Sequence, residues 1–363
     1  MSFFSDLKKE IEEGQEGKNK GYSLGMPRLD KYISLRKRMF YMIMGSSGSG
    51  KTALLHDCFM LNPLEILNQS RETDKKLKYI LFSMERSKAY IHAKWLIRRI
   101  FLDTGKLIPM HILLNWYGDK LKEDALRLID TYEDYFNYIE ANIDIYEGPR
   151  SPNDMFRIVK EYAETHGEDE EISKFKKIYT PKDESIEVII AGDHMGLTKT
   201  TKDHPTKKQA IDQAVSNFQY FRDHLGYSIL AVNQLNRDLS SPIYSKLDSF
   251  EPHLDNAKET GSIVEAADVV ISVFDPLRYN TNDRFYGDVN IFRCPETGHK
   301  YFRNIKILKS SYGIDDAAVG CVFHGETGHF KELAKSKFIK DNWKTEDYES
   351  IFNGSFFLQN EIT

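Results

Sequence analysis

The residues with the plainest chemical potential are Gly45, Ser46, Ser47, Gly48, Ser49, Gly50, Lys51 and Thr52, which read Gly-x4-Gly-Lys-Thr without a gap. A loop of this composition lets closely spaced backbone N–H groups surround a β-phosphate. Lys51 can then reach the β and γ oxygens, and the Thr52 hydroxyl can take a place on Mg2+. The expected ligand is a nucleoside triphosphate. Asp193 follows the apolar run IEVIIAG, at a strand end of the kind where open α/β sheets bind ligands. An Asp there can hold the hydration shell of Mg2+ and complete, with Thr52, the metal side of the site. A helix-capping Asp is the alternative. Glu85, just after KYILFSM, could orient attacking water as a general base, or simply pair with Arg86 or Lys88 on the surface. Gln234 stands at the tip of SILAVNQLNR with Asn236 and Arg237, where its amide could sense the γ-phosphate or make ordinary strand-end contacts. His194 reads first as a local structural histidine and second as a contact to water or nucleotide.

These groups work together only if strands bring them to one edge. MFYMIM (39–44), KYILFS (78–83), IEVIIA (186–191), SILAVN (228–233) and ADVVISVF (267–274) are short, nearly continuous apolar runs, the signature of strands buried on both faces. Helical patterns separate them. SKAYIHAKWLIRRIFL suits a helix packed on a sheet, SPNDMFRIVKEYAE opens with a cap at Ser151 and a proline at its first position, and KKQAIDQAVSNFQYFRDHLG repeats apolar residues every three or four positions. The expected fold class is therefore α/β, with a mostly parallel central sheet flanked by helices. Beyond residue 285 the pieces GDVNIF, RNIKILK, GCVFH and GHFKEL are short and separated by turns, which predicts antiparallel strands added at the sheet edge.

Residues 1–20 form an amphipathic arm, with Phe3, Phe4, Leu7 and Ile11 at helical spacing, joined by a polar glycine-containing stretch. It could fold back on its own domain or dock on a neighbouring subunit. Residues 21–332 read as one enlarged domain, with a charge-rich insertion near 164–185, expected to be a solvated loop, and another near 280–300. Residues 333–363 form an extension with no evident motif.

The chain has 363 residues with 40% apolar, enough to bury a core, so disorder throughout is excluded. Three cysteines cannot make a disulfide framework and have no metal-site spacing, which fits a reducing compartment. No export signal is visible, and no run of eighteen apolar residues suggests a membrane span. Fifty basic against 55 acidic residues give a net charge of −5, which argues against bulk electrostatic capture of nucleic acid while leaving room for a local binding surface.

Taken in order, YSLGMPRLD, GSSGSGKT, ILFSMER, IIAGDHMG, AVNQLNRDL, LDNAKETGSIVEAADVVISVF and ILKSSYG resemble the RecA-like ATPase domain of DnaB-type hexameric replicative helicases, especially reduced phage forms. The resemblance covers about residues 20–330. The phosphate loop alone is common to many ATPases, whereas AVNQLNR followed by AKETGSIVEAADVV is far more specific. The resemblance implies an ATP-hydrolysing DNA helicase that moves 5′ to 3′ along single-stranded or forked DNA as a homo-oligomer, a hexamer in the family. It implies ATP and Mg2+ as cofactors, primase or a helicase loader as protein partners, and a cytoplasmic location, the host cytoplasm for a phage protein. Lys51 and Thr52 become the phosphate and magnesium residues, Glu85 the catalytic glutamate, Asp193 the Mg2+-associated acid and Gln234 the nucleotide sensor. Lys258, Glu259 and Gly261 fall in the central-channel loop that meets single-stranded DNA. On its own, KETG reads more readily as a turn.

Three departures accompany the resemblance. The family's trans-acting Lys-x-Arg-x-Gly pattern appears here as Lys309, Ser310, Ser311, Tyr312 and Gly313, so Ser311 replaces the arginine finger. Lys309, or an arginine such as Arg303 or Arg237, would have to supply the charge, or hydrolysis is weak. The helical N-terminal domain of larger members has no room, and the insertions appear enlarged. The alternative reading is a nucleotide-controlled DNA-binding or assembly ATPase with little helicase activity.

Overall fold

The computed structural model describes residues 3–17, 19–70, 75–118, 120–173, 176–235, 252–276, 301–313 and 316–335. The arm is helical, α1 (Phe3–Gln15), and exposes Phe4, Leu7 and Ile11. The central strand β1 (Phe40–Gly45) is buried along its whole length. Its alternate side chains enter two separate cores, Tyr41 and Ile43 on one face and Phe40, Met42 and Met44 on the other. A strand covered on both faces needs apolar residues at every position, which is why MFYMIM does not alternate.

After the phosphate loop one continuous helix runs through α2 (Lys51–Leu54), a π-helical segment (Leu55–Leu61) and α3 (Asn62–Gln69). Then come β2 (Lys76–Ser83), α4 (Lys88–Thr104), α5 (Met110–Leu113), α6 (Glu123–Asp130), α7 (Glu133–Asn142) and β3 (Ile143–Glu147). The expected cap opens α8 (Pro152–His166): the Ser151 hydroxyl accepts from the Asp154 N–H, and the Asp154 carboxylate accepts from the Ser151 N–H. The remaining elements are β4 (Gly167–Ser173), β5 (Lys176–Pro181), β6 (Ile186–Asp193), α9 (Lys207–Asp223), β7 (Ser228–Gln234), α10 (Gly261–Ala266), β8 (Val269–Phe274), β9 (Phe302–Ser310), β10 (Ala318–His324) and β11 (His329–Glu332).

Nine strands make one sheet in the order β11-β10-β9-β8-β1-β7-β6-β2-β3. From β8 to β3 all neighbours are parallel, and β9, β10 and β11 are added antiparallel at one edge. The five apolar runs are all strands, and RNIKILK, GCVFH and GHFKEL are the antiparallel additions. The edge strand β3 escapes the sequence pattern because IDIYE is short and only its first residue is buried.

The charge-rich stretch near 164–185 is a correction. It is not a solvated loop: α8 continues to His166, and β4 and β5 then pair as a hairpin. The acidic residues of β4 are all exposed, so no apolar alternation announces the strands. What anchors it is Tyr179, whose hydroxyl donates to the Ala163 carbonyl at 3.1 Å and lies 3.1 Å from the Tyr227 hydroxyl. The insertion near 280–300, GDVNIF, Asn236, Arg237 and nearly all of the C-terminal extension lie outside the described residues. No described helix is long and apolar enough to cross a membrane.

Candidate nucleotide site

Strand register assembles the site. Gly45, the last residue of β1, is level with Gln234 of β7 and with Val273 of β8. On the other side of β7, Ser83 at the end of β2 is level with Asp193 at the end of β6, and Glu85 lies two residues beyond. The carboxyl ends of four parallel strands therefore deliver the phosphate loop, Gln234, Asp193 and Glu85 to one sheet edge. Ser47, Gly48, Gly50, Lys51, Thr52, Glu85, His194 and Gln234 all line a single cavity of about 430 Å³. Asp193 sits beneath it.

Glycine is required at the loop's two ends. A Cβ at Gly45 would come within 2.6 Å of the Ser49 hydroxyl and of the Val273 carbonyl. Gly50 has φ of 107°, a left-handed conformation costly for other residues, and admits the Phe330 ring beside it. The Lys51 amine is buried and donates to the Ser46 carbonyl at 2.8 Å, across the loop it would serve. Thr52 Oγ1 donates to Asp193 Oδ1 at 2.9 Å. Burial pushes the Asp193 carboxyl up to about 6, and the nearby Glu85 charge adds to this, against the Thr52 hydrogen bond, His194 and Lys51.

Glu85 lines the cavity and also pairs with Arg86 at 3.2 Å. His194 has a left-handed backbone, φ 69°, and its Nε2 lies 3.3 Å from Gln234 Oε1. Strain of this kind in a non-glycine residue concentrates at functional sites. Here it brings the imidazole against the Gln234 amide oxygen.

Among the described residues no group of three or more His, Cys, Asp or Glu could enclose a metal ion. Mg2+ beside a triphosphate needs no such cage, since phosphates and waters supply most of its oxygens. The donor set fits: Thr52 Oγ1 touches Asp193, and Asp193 Oδ2 is buried with no hydrogen-bond partner. Such an orphaned anionic oxygen is costly unless a ligand meets it.

The chain matches no protein-family model and no curated protein sequence. The solved structures similar to it include the following two. One is an ATPase domain, 19% identical with a TM-score of 0.65, aligned over 92% of this chain and 99% of that one. The other is a DnaB-like replicative helicase studied with its interactions with primase, 18% identical with a TM-score of 0.62, aligned over 92% of this chain and 67% of that one.

The fold is that of a RecA-like P-loop NTPase core.

At these identities the likeness is one of fold, and chemistry must be argued from the site. Within this core some candidate residues stand away from the cavity. Lys309 is opposite Val270, near the amino end of β8, whereas the phosphate loop follows the carboxyl end of β1. Its amine donates to the carbonyls of Val264 at 2.9 Å and Glu265 at 3.3 Å. It does not meet the nucleotide site of its own chain. Ser311 donates its N–H to the Asp268 carbonyl at the same far edge. Lys258 and Glu259 lie in a 3-10 helix (Leu254–Thr260) leading into α10, not in a turn, and their side chains lie outside the described residues. Gly261 has ordinary helical angles, and a Cβ there would meet nothing within 4 Å.

Arg303 makes contacts that the sequence does not foreshadow. Offered as a source of the missing finger charge, it is buried in its own chain instead. Its Nε donates to the Ser49 carbonyl at 2.9 Å, its guanidinium pairs with Asp275 at 3.1 Å, and it lies over the Phe323 ring. It props the phosphate loop from behind. Its partner Ser49 lies 254 residues away in the chain, and no local signal announces the contact.

Proposed function

We propose that the chain is an ATP-dependent replicative DNA helicase, a hexameric ring that translocates 5′ to 3′ on single-stranded DNA and unwinds forks. The observation that carries this reading is the Thr52–Asp193 contact, set by strand register beside Lys51, Glu85 and Gln234 in one cavity of a DnaB-like fold. The loop N–H groups and Lys51 would hold the β- and γ-phosphates of ATP. Mg2+, held through Thr52 and Asp193, would neutralise phosphate charge. Glu85 would orient a water for attack on the γ-phosphorus and accept its proton as the bond to the β-phosphate oxygen breaks. Gln234, steadied by His194, would register the presence of the γ-phosphate.

Lys309 lies at the opposite sheet edge from its own phosphate loop, which favours its acting on the ATP of a neighbouring subunit. The exposed Phe4, Leu7 and Ile11 of α1 favour the arm docking on that neighbour. Lys258, Glu259 and Gly261 would meet the DNA strand, Lys258 as a phosphate contact. Primase or a helicase loader would be the protein partner.

The test compares ATPase and forked-DNA unwinding of wild type, Lys51→Ala and Glu85→Gln under conditions that permit ring assembly. Lys51→Ala should lose ATP binding and both activities. Glu85→Gln should keep ATP bound while turnover falls by roughly 10²–10⁴-fold. Variants that unwind like wild type would overturn the motor assignment.

A second reading, a nucleotide-controlled DNA-binding or assembly ATPase, is favoured by Ser311 at the finger position together with Arg303 being committed to Ser49 and Asp275. It predicts ATP-dependent oligomerisation and single-strand binding without strand separation. Rapid DNA-dependent unwinding by purified protein rejects it.

A further inference from the structure

One peptide unit of the phosphate loop is held from outside the loop. The Ser49 carbonyl accepts from Arg303 Nε at 2.9 Å, and Arg303 stands at the start of β9, 254 residues on. The Ser46 carbonyl, by contrast, accepts from Lys51 Nζ at 2.8 Å and from the Ser49 N–H at 3.2 Å, both within the loop. In a planar trans peptide the C=O and the next residue's N–H point in opposite directions. Turning the Ser49 carbonyl back towards Arg303 therefore turns the Gly50 N–H the other way. Gly50 lines the cavity, whereas Ser49 and Arg303, both buried, lie behind it, so that N–H faces the space a phosphate would fill.

The guanidinium is itself gripped. Its Nη2 pairs with Asp275 at 3.1 Å, its Nη1 donates to the Phe302 carbonyl at 2.7 Å, and it lies 5.3 Å from the centre of the Phe323 ring. Phe323 stacks on Phe330 with ring centres 4.5 Å apart, and both rings pack against Gly50, where a Cβ would come within 2.9 Å of Phe330 and 3.1 Å of Phe323. Strands β9, β10 and β11 thus each place one side chain under the same stretch of loop. Glycine at φ 107° has few steric restraints of its own, so the direction of this peptide depends on the neighbour that holds it. An arginine suits the task because its fork of donors can meet a neutral carbonyl and a carboxylate together.

Resting on the reading of this cavity as a triphosphate site, we infer that Arg303 is a positioning residue: by holding the Ser49 carbonyl it aims the Gly50 N–H at the phosphate seated on the loop. The Gly50 N–H makes the ligand contact, and Arg303 acts only through the peptide between them. A donor fixed in direction beforehand costs no reorganisation when the anion arrives. Asp275 balances the guanidinium charge, so what Arg303 contributes is the direction of a hydrogen bond and not a net positive field. The feature served is phosphate, whatever nucleoside it carries.

The sequence contains two Ser–Gly pairs, 47–48 and 49–50, so labelling with carbonyl-13C serine and 15N glycine isolates the Gly48 and Gly50 amides in a magnetic resonance spectrum. The experiment follows both amides, and measures affinity, as Mg2+ with ATP or with inorganic tripolyphosphate is added to wild type, Arg303→Met and Arg303→Lys. In wild type the Gly50 amide should move downfield on binding, the signature of a charge-assisted hydrogen bond. Arg303→Met should lose most of that shift while Gly48 still responds, and should bind ATP and tripolyphosphate more weakly by the same factor, about tenfold. Arg303→Lys should restore both, because an ammonium can also donate to the Ser49 carbonyl. A wild-type Gly50 shift in Arg303→Met, unchanged affinity, or equal loss of the Gly48 and Gly50 responses would overturn the assignment, the last because it marks general loosening of the loop. If Arg303→Met does not fold, Arg303→Lys decides, and a folded Arg303→Lys protein without the Gly50 shift overturns it. If wild type binds neither ligand, the triphosphate reading falls and the role of Arg303 with it. Binding of both without a Gly50 shift leaves that reading standing and removes only Arg303.

Discussion

Two carboxylates stand within one helix turn's reach of the phosphate-loop helix, both about 1% exposed, and their surroundings could hardly differ more. Asp57, in the π-helical segment, accepts from Arg98 Nε, from the Phe330 N–H at 2.8 Å and from His329 Nδ1 at 3.1 Å. Burial alone would raise it, but the His329 and Arg98 charges and these hydrogen bonds outweigh that and hold it well below the usual carboxylate range. Arg98 in turn pairs with Glu65 at 2.7 Å, and Tyr135 donates to the same carboxylate at 2.9 Å. Asp193 has one hydrogen bond from Thr52, an orphaned second oxygen, and a carboxyl pushed up to about 6. Asp57 is a buried charge fully met by its neighbours, whereas Asp193 is left half-met at a cavity's edge.

The comparison breaks most readily at Asp57. Asp57→Ala leaves Arg98 buried without its nearest partner and should cost about 3–5 kcal/mol in denaturant unfolding. The double variant Asp57→Ala/Arg98→Met should cost less than the sum of the two single changes, because no uncompensated charge remains.

Asp193→Asn should do the opposite. A folded-state value raised from 3.8 to about 6 means the native protein binds the proton more tightly than the unfolded chain, so stability falls as pH rises through that window and the cost is fully present above it. Removing the charge should therefore stabilise the nucleotide-free protein at pH 7 by about 3 kcal/mol, and by little at pH 4, while hydrolysis is lost. Thermal unfolding at the two pH values, paired with an ATPase assay, checks both halves. A variant less stable than wild type at pH 7 would remove Asp193 from its contrast with Asp57.

The smallest effect is a proton. Below about pH 6 Asp193 is largely neutral, so binding of Mg2+–ATP should release up to about one proton, read by calorimetry in buffers of different ionisation enthalpy. Asp193→Asn should abolish that release and Asp57→Asn should not.

Much of this contrast was legible along the chain on only one side. Asp193 announces itself because it ends an apolar run, and Gly45 to Thr52 because their spacing has few other uses. Asp57 carries no such mark: it sits in the apolar stretch LLHDCFML, and its partners come from α4 and β11, 41 and 272 residues away. Arg303 is hidden for the same reason, since its partner is the Ser49 carbonyl. The hairpin β4–β5 was missed because charged residues on both strands erase the alternation that periodicity relies on, and β3 because an edge strand needs little burial.

By itself the sequence determined the α/β class and five of the parallel strands and singled out Gly45 to Thr52, Glu85, Asp193 and Gln234 as candidates, because each is marked by local spacing and by apolar runs that survive without knowing what they touch. Tertiary structure alone decided that Asp193 keeps an unpartnered oxygen while Asp57 is satisfied, that Arg303 faces inwards, that Lys309 lies across the sheet from its own phosphate loop, and that Lys94 ties α4 to a distant turn. Those outcomes depend on desolvation and on partners hundreds of residues apart, and neither quantity exists until the sheet has closed its register.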